Sequence, residues 1–390
     1  MIDKLKGIKI RDILGIFLFL LVLIPSLIKK IILKISNKEC WLICERENMA
    51  RDNGYVFFKY MVNNHPEIKT YYAINRKTAD AEKIKKLNRK PIRWGGLTHY
   101  YLYMSCTKNI SSHKEGNPNH PLFTIMHKYL NLYNNRVFLQ HGISGNDISM
   151  FYYKNAKFKK FICGSIKEFN YIKKNYGYKN NEVVYTGLAR FDEYTTSKKP
   201  SEKIIAVIPT WRDYLANVKE FKLTEYYKQW IGLLKNKKLI EILKTNNVKI
   251  FFYPHMSFLK YEKDLNIEND VVKYKNLNNY DIRDIFNKAS MVITDYSSAA
   301  FDFGYQYKPV LYFQFDKEKF FNSHVKRSDF SYEDDGLGEV IYTINDLVCE
   351  INKLIECNFR NTKKYNERSD KIFKLHDHNN CKRIYEELTK

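Results

Sequence analysis

Apolar and polar positions along this chain fall into blocks that switch between strand-like and helix-like spacing. Short apolar runs at Cys40–Cys44, Lys69–Ile74, Lys108–Ser111, 136–140, 158–163 and 183–186 read as buried strands. Residues 50–62, 79–87 and Ile166–Asn175 have helical spacing between them. Residues 113–135 are rich in Asn, His and Pro and read as a loop around a short amphipathic helix. A second series starts at Ile204–Ile208. It continues with strands at 248–253, 271–274, Met291–Thr294 and 309–313, and with helices at 225–245, Ile282–Lys288 and 297–305. Helices at 344–357 and 381–388 close the chain. Strands alternating with helices imply parallel sheets. Between the two series, 195–202 (TTSKKPSE) is polar apart from one proline and reads as a linker. The expected organisation is an N-terminal segment 1–38 and two α/β domains, 39–198 and 199–390, facing one cleft.

One block breaks the alternation. Residues 13–28 (ILGIFLFLLVLIPSLI) are apolar on every side, with Lys4, Lys6, Lys9 and Arg11 before them and Lys29, Lys30, Lys34 and Lys38 after. The run is shorter than the roughly 20 residues that cross a bilayer. No small-residue cleavage pattern follows, which argues against a removable signal. The segment is expected to associate with a membrane. It either lies in the inner leaflet, held by its lysines, or crosses as a short tilted span extended by Ile31 to Ile35.

Charge changes this picture only in part. Among 390 residues, 66 are Lys or Arg and 43 are Asp or Glu, a net +23. Without residues 1–38, 58 basic residues still face 41 acidic ones, so +17 remains. Such a surplus suits an anionic partner: nucleic acid, a membrane surface or a phosphate-rich substrate. Coding bias toward Lys, Asn, Ile and Tyr also raises it. A hydrophobic share of 44% builds a large core and excludes disorder as the main theme. The seven cysteines are odd in number and form no CxxC pair, which argues against a disulfide framework or a zinc site. P-loop, dinucleotide, HExxH and DxD patterns are missing, as is any nucleic-acid-binding motif.

Ligands of open α/β sheets sit at the carboxyl ends of strands, and five polar clusters lie there. His141 ends the first, with Gly142 and Gly145 behind it; an imidazole so placed can take a proton from a hydroxyl. Arg212 follows Ile204–Ile208 and can clamp a phosphate or pair with a carboxylate. His255 repeats the strand-then-His arrangement in the second series. Asp295, Ser297 and Ser298 sit between a strand and a helix, where free N–H groups favour anions and where Ser or Asp also caps helices. Arg190 follows the strand at 183–186, and an interdomain ion pair is its ordinary reading. Either Asp147 or Asp295 can orient a histidine, Asp295 being the better placed at a strand end.

The order of these motifs, QHGISG (140–145), GLARFDEY (187–194), IPTWRDY (208–214), YPHMS (253–257) and TDYSSAAFDFGYQYKPVLYF (294–313), resembles the CDP-glycerol:poly(glycerophosphate) glycerophosphotransferase family. WLICERENMARDNGYVFFKY (41–60) and FSYEDDGLGEV (330–340) fit as well, so the resemblance covers about 40–385. It implies a GT-B-like fold of two Rossmann-like domains, the first on the acceptor side and the second binding the donor. It also implies transfer of a polyol phosphate, glycerol phosphate first among them, from a CDP-activated donor to a hydroxyl on a lipid-linked polyanionic polymer of the cell wall or capsule, with release of CMP. By that resemblance His141 is the catalytic base, His255 serves the donor diphosphate, Ser297 and Ser298 bind phosphate, and Arg212 faces the donor. Gly142 and Arg190 support the site. The family often reads WHG and PHP where this chain reads QHG and PHM. No cofactor or metal and no nucleic acid is expected, and the expected location is the cytoplasmic face of a bacterial cell membrane. Two other readings stay open: a GT-B transferase using a CMP-activated sugar, and a non-catalytic membrane-bound protein that binds polyanions.

Overall fold

A computed structural model describes residues 10–390 apart from 195–202, 217, 256, 259–260, 263–264, 266, 277–279 and 324–325. The expected linker, 195–202, lies outside the described residues. The strands are β1 (Cys40–Cys44), β2 (Lys69–Ile74), β3 (Ile92–Arg93), β4 (Lys108–Ser111), β5 (Arg136–Phe138), β6 (Asn146–Asp147), β7 (Lys160–Cys163), β8 (Val183–Tyr185), β9 (Ile204–Ile208), β10 (Lys249–Phe252), β11 (Val272–Tyr274), β12 (Met291–Thr294), β13 (Val310–Phe313), β14 (Lys326–Arg327) and β15 (Glu339–Ile341).

Two parallel sheets organise the chain. The first runs β3-β2-β1-β4-β5-β7-β8 and the second β11-β10-β9-β12-β13-β15. Both orders reverse beside their first strand, the doubly wound pattern in which a crevice opens at the reversal. Strands β1, β9, β12 and β13 are buried along their whole length. That follows from their unbroken apolar runs, since helices cover both faces of such sheets. A short antiparallel pair, β6 with β14, ties the two halves together.

Several elements differ from expectation. The single helix expected over 225–245 is two, Glu225–Leu234 and Lys237–Thr245. Asn236 starts the second by accepting a hydrogen bond from the Leu239 N–H at 3.0 Å, so the chain turns there. The helix expected from 297 begins at Ala299 and spans seven residues, Ala299–Tyr305. The aromatic-rich helix Leu97–Ser105 gave no clear period in the sequence. The last helix, Asn380–Thr389, falls within the expected 199–390 unit but packs on the first half. Its Cys381, Ile384 and Leu388 join the core around Trp41 and Phe57, and Asn380 holds Asp192 at 2.7 Å.

The N-terminal helix spans Ile10–Ile35, 26 residues, well beyond the 13–28 run. The most apolar window within its stretch Asp12–Ile35 has a mean hydropathy of 2.5. At 1.5 Å per residue the helix is long enough to cross a bilayer. It is also docked. Phe19 and Val22 are buried against the first half, with Phe19 edge-on to Phe123 and Tyr133. Lys29 lies 5.0 Å over the Tyr101 ring and Lys30 5.8 Å over Tyr133. The other faces leave Phe17, Leu20, Ile24 and Ile31 exposed.

Candidate active site

The two sheets present their carboxyl ends to one cleft of about 790 Å³. The first half contributes segments after β1, β2, β4, β5 and β8; the second contributes segments after β10, β11 and β12. His141, His255, Ser297, Ser298 and Arg190 all line it.

His141 is aimed by a tight turn. Gln140 has φ of 63°, in the left-handed region, so the chain reverses as it leaves β5. The Gln140 amide donates to Glu168 at 2.7 Å, and its carbonyl accepts from Asn53 at 2.8 Å. Glu168 also accepts from the Ser144 and Gly164 N–H groups, which pins the whole loop. Burial pushes the Glu168 carboxyl up to about 7. The next residue must be glycine: a Cβ on Gly142 would run into the Ser298 side chain from the other half. The QHG and β12 loops therefore touch.

The His141 ring faces the cleft on one side and is crowded by protein on the other. Its pKa is lowered from the ordinary 6.5, chiefly because that crowding disfavours charge. Asp52 and the Ser112 backbone pull it up, and Arg46 and Arg190 push it down. Asp147 and Asp295 do not serve as its orienting carboxylate. Asp147 accepts from the Tyr152 hydroxyl at 2.6 Å, and Asp295 is buried elsewhere. Stacked against His141 is His113, its ring centroid 5.0 Å away and nearly parallel. His113 is buried, and its Nδ1 has no hydrogen-bond partner among the described residues. Burial holds its pKa well below the ordinary value.

His255 is exposed to the cleft and stacks near Trp211. The Ser257 N–H donates to His255 Nδ1 at 3.2 Å, which leaves the ring proton of the neutral tautomer on Nε2. Ser297 and Ser298 are half-buried, and the Ala299 N–H donates to Ser297 Oγ at 3.3 Å.

Arg212 and Asp295 contradict the donor-facing expectation. Arg212 is fully buried between two carboxylates, 2.9 Å from Asp295 and 2.8 Å from Asp316. Its guanidinium also donates to the Thr210 carbonyl at 2.6 Å and lies 4.8 Å from the Phe320 ring centre. Asp295 accepts from the Thr210 and Tyr296 N–H groups. The triad locks the loops after β9, β12 and β13 together, and so positions Ser297 and Ser298 from behind. Burial outweighs Arg212 and raises the Asp295 pKa. A strand-end arginine looks the same in sequence whether it points out or in, and the two aspartates that capture this one lie 83 and 104 positions on.

Arg190 is a strut between halves. It donates to Asp52 at 2.6 Å, to Asp302 at 2.7 and 2.8 Å, and to the His141 carbonyl at 2.9 Å. The charged or titratable cleft residues of the first half missed by the sequence reading are Arg46, Arg51, Asp52, Lys77 and His113. All follow β1, β2 or β4, so the strand-end rule used for His141 covered them equally.

Two doubly wound parallel sheets sharing a cleft at their carboxyl ends define a GT-B-like α/β protein. The chain belongs to the CDP-Glycerol:Poly(glycerophosphate) glycerophosphotransferase family, which it matches over residues 27–390. It is 33% identical over 364 residues to the minor teichoic acid biosynthesis protein GgaB of Bacillus subtilis, covering 90% of this chain and 39% of that protein. It is 28% identical over 183 residues to the B. subtilis teichoic acid glycerol-phosphate primase, covering 44% of this chain and 43% of the primase. The chain thus spans about two-fifths of the length of these relatives. A solved structure of the wall teichoic acid polymerase TagF superposes with a TM-score of 0.66 at 14% identity, over 98% of both chains.

Proposed function

We propose that this chain transfers glycerol phosphate from CDP-glycerol to an acceptor hydroxyl and releases CMP. Family membership supports the donor. One observation carries the assignment of the site: Gly142, beside His141, abuts Ser298, so the base of one half meets the phosphate-side serines of the other.

In this reading neutral His141 takes the acceptor's proton as its oxygen attacks the distal phosphorus of the donor. The bond from that phosphorus to the CMP oxygen breaks, and CMP leaves with the electron pair. His255 Nε2–H and the Ser297 and Ser298 hydroxyls donate to the diphosphate, while Arg46 and Lys77 offset its charge across the cleft. Arg212 and Asp295 act from behind, by holding the β12 loop. Arg190 fixes the distance between halves. The reading assigns no cofactor, and undiminished transfer in the presence of a chelator is the matching result.

The membrane reading rests on helix Ile10–Ile35. One face is docked along the first half, and the other exposes large apolar side chains. A helix held sideways in this manner suits a position within the interface, parallel to the bilayer plane. The cytoplasmic leaflet, with its anionic lipids, suits the lysines and the net charge of +23.

The test is CMP release from CDP-glycerol, CDP-ribitol and CMP-sialic acid with a glycerol phosphate oligomer as acceptor. CDP-glycerol should be the donor used. His141→Ala should lower kcat about 10²- to 10⁴-fold; near-native turnover by that variant would remove the base assignment. Preference for the CMP-sugar, or no turnover with any donor, would overturn the transfer reading.

A further inference from the structure

The cleft has a neighbour. A second cavity of about 690 Å³ opens beside it, along the carboxyl edge of the first sheet. Its walls come from the ends of β1 (Arg46, Glu47) and β3 (Arg93, Trp94) and from the loop after β4 (Glu115, Asn119). Arg46 lines both cavities and so is a wall that they share. At the far end stands the N-terminal helix. Asn119 Nδ2 donates to the Asp12 carbonyl at 2.9 Å. Gly15 lets the helix close on Tyr100 and Asn119, which any Cβ there would strike. Every described residue lining this second cavity comes from the N-terminal helix or the first half. The main cleft, in contrast, draws on both halves.

Resting on the transfer reading above, we propose that this second cavity is the acceptor channel, taking a phosphate-bearing polyol or saccharide chain with its terminal hydroxyl directed at His141. The chemistry of the walls fits that ligand class. Trp94 is half-buried and offers a flat apolar face to the C–H side of a sugar or polyol. Glu47 and Glu115 can accept from hydroxyls. Arg46 and Arg93 are exposed, and among the described residues no ion pair or side-chain hydrogen bond engages either guanidinium. Such forks match phosphate oxygens. Asp12, on the helix with the exposed apolar face, lines this cavity, so the remote end of a lipid-linked chain would be held beside that helix.

The test uses the full chain and an octyl-linked glycerol phosphate trimer as acceptor. Trp94→Ala and Arg93→Glu should each raise the acceptor KM about tenfold or more, equivalent to about 1.4 kcal/mol. The KM for CDP-glycerol should be unchanged. Trp94→Phe, which keeps a ring, should recover most of the affinity. Direct titration of the trimer without donor separates the two readings. If wild type and Arg93→Glu bind it equally, the channel is wrong even when transfer is sound. If wild type binds the trimer through these residues but releases no CMP from CDP-glycerol, the channel stands as a polyanion site and the transfer reading falls. Arg93 is exposed, so its replacement keeps the test valid should Trp94→Ala fail to fold.

Discussion

Gln140 accepts a left-handed φ and gives up both its side chain and its carbonyl to Glu168 and Asn53. The result is a histidine thrust into the cleft, its ring stacked on His113. Because crowding lowers the His141 pKa, the ring stays neutral further into acid than a free histidine. The acid limb of kcat/KM against pH should therefore lie below 6.5; a limb at or above 6.5 would contradict the assignment. Stability follows the same sign. His141 and His113 both have lowered folded pKa values, so the unfolded chain binds protons that the native one refuses. Their contribution is intact above 6.5 and is lost as pH falls below it. Arg212 makes a separate point. Removing it leaves Asp295 and Asp316 buried without their partner. Arg212→Ala should cost about 3–5 kcal/mol in chemical denaturation, and any loss of activity should accompany that loss of fold. A variant that kept its stability but lost donor affinity would restore the direct phosphate contact.

The N-terminal helix has two unlike apolar faces, one packed and one exposed. Phe19 packs against Phe123 and Tyr133, and Phe19→Ala should cost about 3–5 kcal/mol, as for other buried aromatics. Leu20 and Ile24 point away from the protein. Leu20→Lys with Ile24→Lys should leave the thermal midpoint within a few degrees and abolish sedimentation with anionic vesicles. Wild-type binding should persist at high salt, because burial of apolar area is not screened. Binding lost in high salt would place the lysines, not the apolar face, in charge. The helix also shows how far an apolar run can be read. Residues 13–28 announced it, but the helix continues through Lys29, Lys30 and Lys34 because those ammonium groups reach aromatic rings or water from a helical backbone.

For the whole molecule, the cleft is a joint product of both halves, and Arg190 spans them between Asp52 and Asp302. A donor held there should stabilise the entire fold. At one hundred times its Kd it should add about 2.7 kcal/mol to unfolding. Amide exchange should slow together at 141–145 and 297–299; protection confined to the second half would show that the donor does not reach the QHG loop. The net charge of +23 now has identifiable addresses: the helix lysines beside an apolar face, and Arg46, Lys77 and Arg93 along the two cavities.

The alternation of apolar runs with helical spacing determined by itself that this chain forms two parallel-sheet halves, because a strand buried on both faces must be apolar throughout. The same logic put His141, His255, Ser297 and Ser298 at strand ends, where side chains escape the sheet. The tertiary structure alone decided which polar strand-end residues face the cleft and which face the core. Arg212 and Asp295 turned inward because Asp316, distant in sequence, arrives beside them. His113 came to lie under His141 because β4 and β5 are neighbours in the sheet. The last helix crossed back to the first half because its apolar face matches the core around Trp41. Local sequence sets which residues can leave a strand; only the packing of distant segments sets what they meet.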